Sequence, residues 1–250
     1  MSRRRIGPWY RLAVVLFKPL MLTLTRRNWR GAENLPAQGG FVVVVNHISY
    51  LDFLTFGHFV YDNGRLPRFL AKEGVFRLPV IGRVVSGAQQ IPVYRETADA
   101  AASYAAAVAA VNRGECVAIY PEGTLTRDPE LWPMRGKTGA ARIALATGCP
   151  VVPIAQWGAQ RMLPPYAHWP RLLPRHDSYV WAGRPVDLRR FEELPVTADV
   201  LADATEQIMT DVTGLLEQIR DEPAPTERWD PRRTGRPRIG NPNRRPEDRR

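Results

Sequence analysis

The run Phe41-Val42-Val43-Val44-Val45 constrains the fold of this chain more than any other stretch. A strand with one wet face alternates apolar and polar residues, and this one offers no polar residue to either side. Unbroken β-branched runs of this kind suit a parallel sheet covered by helices on both faces. Pro67–Ala71, Gln90–Tyr94, Cys116–Tyr120, Val151–Ala155 and Tyr179–Ala182 read as further strands. Between them the pattern predicts helices over Tyr50–Val60, Thr97–Asn112, Thr138–Thr147 and Ala198–Arg220, with Gly114 and Gly148 as stops. Strands alternating with helices imply an α/β fold: a mostly parallel central sheet flanked by helices. Ligands in such sheets sit beyond the carboxyl ends of the strands.

At 250 residues the chain is long enough for one domain with tails. Its formal charge of +10 is concentrated at the ends. Residues 1–30 carry eight Lys or Arg and no acid, and residues 221–250 carry nine Arg against six acids. The body between them is close to neutral. A nucleic-acid binder is expected to carry its charge on the folded body, so no nucleic-acid partner is expected.

The basic N-terminus instead flanks an apolar stretch from Pro8 to Leu24, interrupted by Arg11, Lys18 and Pro19. It is too broken for a membrane-spanning helix, which needs roughly 20 mostly apolar residues. No small-residue cleavage site follows it, which argues against a secretory signal. Trp9, Tyr10, Val14, Phe17 and Met21 can share one helical face. With cations on either side, that pattern fits an interfacial, membrane-anchoring helix on anionic lipid. A helix packed on the protein's own core would show the same apolar face but would not explain the flanking cations.

The organisation expected is therefore a basic membrane-associating segment (1–34), a catalytic-type α/β domain (35–220) and an Arg/Pro-rich disordered tail (221–250). The two cysteines, Cys116 and Cys149, do not form a disulfide framework and are expected to be reduced and buried.

Four segments carry candidate chemistry. Asn46-His47-Ile48-Ser49-Tyr50-Leu51-Asp52 follows the first strand directly. The backbone between His47 and Asp52 can fold back and bring the carboxylate to one ring nitrogen. That fixes the tautomer and leaves the other nitrogen as a base for a hydroxyl supplied by a substrate. A structural histidine in a turn, with Asp52 favoured at a helix start by the dipole, has the same spacing.

Tyr120-Pro121-Glu122-Gly123-Thr124 follows the fourth strand. Gly123 permits close backbone approach, and the exposed amides with Thr124 can hold a phosphate or hydroxyl beside Glu122. The same residues also make an ordinary turn. Arg95, after Ile91-Pro92-Val93-Tyr94, suits bidentate phosphate binding, and Lys137 is a second candidate cation. Each alone is also an ordinary surface charge. Val151-Val152-Pro153-Ile154 reads as a core strand whose proline points to an edge or a strand end.

No G-x-S-x-G elbow, dinucleotide motif, P-loop or zinc spacing is present. Covalent serine catalysis, nicotinamide chemistry and metal hydrolysis therefore lack support, and no metal is expected.

These four segments, in this order over roughly residues 35–190, resemble the phosphate-lipid acyltransferase family that includes bacterial 1-acylglycerol-3-phosphate acyltransferases. His47 through Asp52 is similar to that family's H-x4-D block. Ile91 through Arg95, Pro121 through Thr124, and Val152 through Ile154 are similar to its later blocks. The resemblance implies that His47 is the general base and Asp52 its orienting partner. It places Arg95, Glu122 and Gly123 at the acceptor phosphate site. It also implies acyl-CoA or acyl carrier protein as donor, with no cofactor, and lysophosphatidic acid as acceptor, giving phosphatidic acid. The expected location is the cytoplasmic face of a membrane. One departure stands out: the family often has an acid before the arginine of its second block, and this chain has Tyr94.

Overall fold

A computed structural model describes residues 6–93 and 100–230. Its strands are β1 (Thr25–Arg30), β2 (Phe41–Val45), β3 (Pro67–Lys72), β4 (Ile91–Val93), β5 (Cys116–Ile119), β6 (Val151–Trp157) and β7 (His176–Ala182). The helices are α1 (Pro8–Leu24), α2 (Asp52–Asp62), α3 (Glu73–Phe76), α4 (Ile81–Gly87), α5 (Ala100–Asn112), α6 (Gly139–Thr147), α7 (Ala159–Met162), α8 (Arg189–Glu192) and α9 (Ala198–Arg220). The strands form one sheet in the order β1-β7-β6-β2-β5-β3-β4. β6, β2, β5, β3 and β4 run parallel; β7 is antiparallel to β6, and β1 is parallel to β7. The expected mostly parallel α/β sheet is what the chain forms.

β2 sits at the centre and is buried along its whole length. Phe41, Val43 and Val45 pack with Phe56, Phe59 and Val60 of α2. Val42 and Val44 point to the opposite face and join Ile143 of α6 and Ile208 and Val212 of α9. The absence of polar alternation in the sequence is thus a direct consequence of two covered faces. Each buried valine contributes about 1.5–3 kcal/mol relative to exposure.

Several elements differ from the sequence expectation for identifiable reasons. β1 is not visible as a strand in its polar sequence, Thr-Arg-Arg-Asn-Trp-Arg, because it is held by backbone pairing with β7 along the sheet edge. Charged side chains are tolerated there, and they discourage edge-to-edge association. This strand lies inside the 1–34 segment that was expected only to associate with a membrane.

Pro153 marks neither an edge nor the end of its strand: β6 is an internal strand. The proline is accommodated because its missing N–H faces the β7 side, and β7 pairs only from Ile154 onward. There the Pro153 carbonyl accepts the Gly183 amide at 2.9 Å.

The face of α1 named above packs on the protein, although Trp9 and Phe17 keep part of their surface exposed. Met21 is buried with Ala159 and Met162, Tyr10 stacks on Tyr61, and Phe17 meets Phe53 edge-on. A side chain at Gly87 of α4 would collide with the Trp9 indole, 2.1 Å from its Cδ1. The outward residues are Leu12, Val15, Leu16 and Leu20, all exposed. Among the described residues no helix is long and apolar enough to cross a membrane.

At the other end, residues 221–230 lie against the body rather than standing free of it. The Trp229 carbonyl accepts the Arg135 amide at 3.1 Å, Ala224 packs beside Leu216, and Arg228 pairs with Glu206. Residues 231–250 of the expected tail lie outside the described residues, as do Tyr94 and the predicted first turn of α5.

Candidate active site

The sheet register brings the two strongest motifs together. β2 and β5 pair in parallel with Val44 opposite Ile119. Continuing that register beyond the carboxyl ends sets His47 opposite Glu122, and the His47 amide donates to Glu122 Oε1 at 2.9 Å.

Residues 48–51 then turn back before α2 begins. Their geometry is set by one oxygen. Asp52 Oδ2 accepts the amides of Ile48 at 2.7 Å and Ser49 at 2.9 Å, and lies 2.8 Å from His47 Nδ1. This is why α2 starts at Asp52, later than its sequence pattern indicates. Asp52 is fully buried, whereas the His47 side chain is 19% exposed. With Nδ1 engaged by the carboxylate, Nε2 is the nitrogen left for a substrate proton. Burial pushes the Asp52 carboxyl above its usual value, opposed by the His47 contact and the two amides.

Glu122 is also buried, and its second oxygen accepts the Met134 amide at 3.0 Å. It therefore ties the His47 backbone to the 121–137 loop. The Thr126 amide adds a second tie, donating to the His47 carbonyl at 2.7 Å. Burial pushes Glu122 up to about 8, although the Met134 and His47 amides pull it the other way. The sequence had placed this carboxyl beside a bound phosphate. In the fold both of its oxygens meet backbone amides, so its direct action is on the position of His47.

Gly123 has φ +70, a conformation that favours glycine. A Cβ there would sit 2.9 Å from Lys137 Nζ, so Lys137 lies directly on this turn. Thr124 is half-buried beside it. His47, Asp52, Glu122, Gly123, Thr124 and Lys137 thus gather at the ends of β2 and β5. Arg95 follows β4 and lies outside the described residues.

Sequence reasoning missed three contributors. Tyr120 stacks on the His47 ring, with centroids 4.1 Å apart and planes at 17°. Its buried hydroxyl lies beside Gln156. Asn46 and Gln156 lock β2 to β6: Asn46 Nδ2 donates to the Gln156 carbonyl at 3.0 Å, the Gln156 amide donates to Asn46 Oδ1 at 2.8 Å, and Gln156 Nε2 donates to the Asn46 carbonyl at 3.0 Å. Thr55 of α2 donates to Gln156 Oε1 at 3.0 Å. The residue before His47 is thereby fixed by a closed, buried polar network, which holds a single arrangement when every member is satisfied. A polar residue closing the apolar run Val151–Ala155 was the available signal.

A histidine whose Nδ1 is held by a buried carboxylate is equipped to deprotonate, through Nε2, a hydroxyl brought by a substrate. A family profile described as Acyltransferase matches residues 26–157. The chain belongs to the acyltransferase family. The matched segment contains every candidate site residue named above.

A chloroplastic 1-acyl-sn-glycerol-3-phosphate acyltransferase, BAT2 of Brassica napus, is 36% identical over 137 residues, covering 54% of this chain and 38% of the plant protein. The Arabidopsis thaliana enzyme LPAT1 is 32% identical, over 55% of this chain and 37% of its own length. The chain thus matches well under half the length of these plant relatives. A 1-acyl-sn-glycerol-3-phosphate acyltransferase of Bacillus subtilis is 29% identical over 75% of this chain and 88% of its own length. The crystal structure of the 1-acyl-sn-glycerophosphate (LPA) acyltransferase PlsC from Thermotoga maritima shares the fold, with TM-score 0.64 and 21% identity over 86% of this chain and 82% of that one. In this acyltransferase the H-x4-D and P-E-G-T segments are brought side by side by the central strand pair.

Proposed function

We propose that this acyltransferase moves a fatty acyl group from acyl-CoA or acyl carrier protein to the sn-2 hydroxyl of 1-acylglycerol 3-phosphate, giving phosphatidic acid. The observation that carries the reading is the 2.8 Å contact between His47 Nδ1 and Asp52 Oδ2 at the carboxyl end of the central strand. The plant and bacterial relatives are 1-acyl-sn-glycerol-3-phosphate acyltransferases, which supports this acceptor.

In this reading His47 Nε2 takes the proton of the acceptor hydroxyl as its oxygen bonds to the thioester carbonyl carbon. The buried Asp52 carboxylate steadies the imidazolium that results. Collapse of the tetrahedral adduct breaks the carbon–sulfur bond, and the proton passes from His47 to the departing thiolate. A positioned base contributes roughly 10²–10⁴-fold, and orientation of two bound substrates supplies much of the remainder. Lys137, beside Gly123 and Thr124, is the described cation best placed to meet the acceptor phosphate, with Arg95 as its partner.

α1 is apolar on both faces, one packed on the protein and one exposed, and a helix of that kind is suited to a lipid interface. The reading therefore includes peripheral attachment to anionic lipid on the cytoplasmic face of a membrane, with no nucleic-acid role.

The deciding measurement is turnover of one labelled acyl thioester against a panel of acceptors. Lysophosphatidic acid should give the highest kcat/KM. Preference for glycerol 3-phosphate or another lyso-lipid would replace the acceptor but keep the chemistry. Failure with every acceptor would remove the reading. Arg95→Ala and Lys137→Ala should each raise the acceptor KM more than they lower kcat.

A further inference from the structure

The surface next to α1 carries a second apolar feature that the catalytic reading does not use. α3 and α4 form a short hairpin whose connection, residues 77–80, reads Arg-Leu-Pro-Val. Leu78, Val80 and Ile81 are exposed at its tip, Val80 to 72%. Large apolar side chains gathered at one protrusion are uncommon on a soluble surface and mark contact sites.

The hairpin is braced rather than loose. The Gly82 amide donates to the Leu78 carbonyl at 2.7 Å, and the Val84 amide to the Val80 carbonyl at 3.2 Å. α4 is also seated on α1, where Trp9 lies so close to Gly87 that no side chain fits between them. The apolar tip and the outward stripe of α1, with Val15 at 69% exposure, thus belong to directly packed helices.

The charges around the tip are basic. Arg77 and Arg83 are exposed and line one shallow hollow with Phe76, Leu78 and Pro79. The single acid between residues 72 and 90 is Glu73, which bonds to Arg77 at 2.5 Å. A neutral or basic apolar tip with no free acid complements a surface of acyl chains topped by phosphates.

We propose that the α3–α4 hairpin is a second lipid-contacting element. Leu78, Val80 and Ile81 enter the boundary between headgroups and acyl chains, and Arg77 and Arg83 meet the phosphates of anionic lipids. Two anchors, α1 and the hairpin, define an orientation where one helix alone leaves rotation free. The catalytic crevice is then held in a fixed attitude to the lipid that supplies its acceptor. This rests on the reading of the acceptor as a membrane lipid, but its contact chemistry is testable without turnover.

The test uses the full chain and vesicles of phosphatidylcholine with phosphatidylglycerol. Partitioning is measured by flotation for the parent, for a triple Leu78→Ser, Val80→Ser, Ile81→Ser variant, and for an Arg77→Gln, Arg83→Gln variant. The triple variant should lose about tenfold or more in partitioning, since it removes the apolar side chains that enter the interface. The arginine variant should lose affinity only for vesicles containing phosphatidylglycerol, and less so at high salt. Turnover of a short-chain, water-soluble acceptor should stay within about twofold in both, which separates lost docking from lost chemistry.

Unchanged partitioning of the triple variant overturns the proposal. So does a change in oligomeric state without a change in partitioning, which would make the tip a protein contact. A dye attached at Val80→Cys supplies an independent readout: its emission should shift to the blue on vesicles, and an unshifted spectrum also overturns the proposal. Should no acceptor be turned over, the catalytic reading fails while the partitioning arms still decide the hairpin.

Discussion

The carboxylate of Glu122 accepts the backbone amide of His47 at 2.9 Å, across the ends of two adjacent parallel strands. Its other oxygen accepts the Met134 amide at 3.0 Å. One buried side chain therefore fixes the residue that carries the base and the loop that closes the site beside it.

Glu122→Gln keeps the size of this side chain but turns an NH2 group toward one of the two amides. A buried donor left without an acceptor costs about 1–3 kcal/mol. The expected outcome is a melting temperature lowered by several degrees and kcat lowered about tenfold or more, with the variant still folded. Melting curves and steady-state rates check both. An unaltered kcat would show that the position of His47 does not depend on this tie.

The same residue predicts a pH trend in stability. Burial raises Glu122 from its ordinary 4.5 to about 8. Between those values the folded chain holds a proton that the unfolded chain has released, so the unfolded state binds fewer protons. Stability from this group is fully present below pH 4.5 and is lost as pH rises through about 8. Denaturant midpoints for the parent should decline over that window relative to the Glu122→Gln variant, in which the group cannot titrate. Parallel profiles for the two proteins would contradict the assignment.

His47 and Asp52 should separate catalysis from stability. His47→Ala removes a mostly buried ring at the mouth of the site and should leave the fold intact while lowering transfer roughly 10²–10⁴-fold. Asp52→Asn should lower both rate and stability. Its Oδ2 serves two backbone amides as well as the ring, and an amide side chain cannot meet all three donors in the same way. Single-turnover rates and melting curves on the two variants give the comparison. A rate within tenfold of the parent for His47→Ala would remove it as the base.

The parts of this molecule legible in its sequence are those governed by local pattern. Four valines in a row announced a strand covered on both faces, and Thr197 and Asp221 end α9 where the pattern stops. The pairing of His47 with Asp52 was legible because only a short loop separates them. Glu122 was legible as a site residue but not in its job, because the direction of a carboxyl depends on strands 75 residues apart meeting in register. Gln156 lies 110 residues from Asn46, and no spacing reports that contact. What the named face of α1 meets was not legible either, since an apolar face reads the same whether it packs on the protein or on lipid.

The Tyr120 ring lies flat against His47 at 4.1 Å, and this arrangement makes the last prediction. A parallel aromatic face restricts imidazole rotation and is attractive to the imidazolium that forms when the base takes a proton. Tyr120→Phe keeps the ring and should hold kcat within a few-fold. Tyr120→Leu keeps the apolar volume but removes the stacked face, and the loss of about 0.5–1.5 kcal/mol corresponds to a two- to tenfold drop in rate. The acidic limb of the pH–rate profile should also move to lower pH in Tyr120→Leu, because an imidazolium that has lost the attraction of the stacked ring gives up its proton more readily. The direction of that limb therefore discriminates: a move to lower pH identifies the ring as stabilising the charged base, and no movement, with the rate loss intact, limits Tyr120 to holding the ring in place.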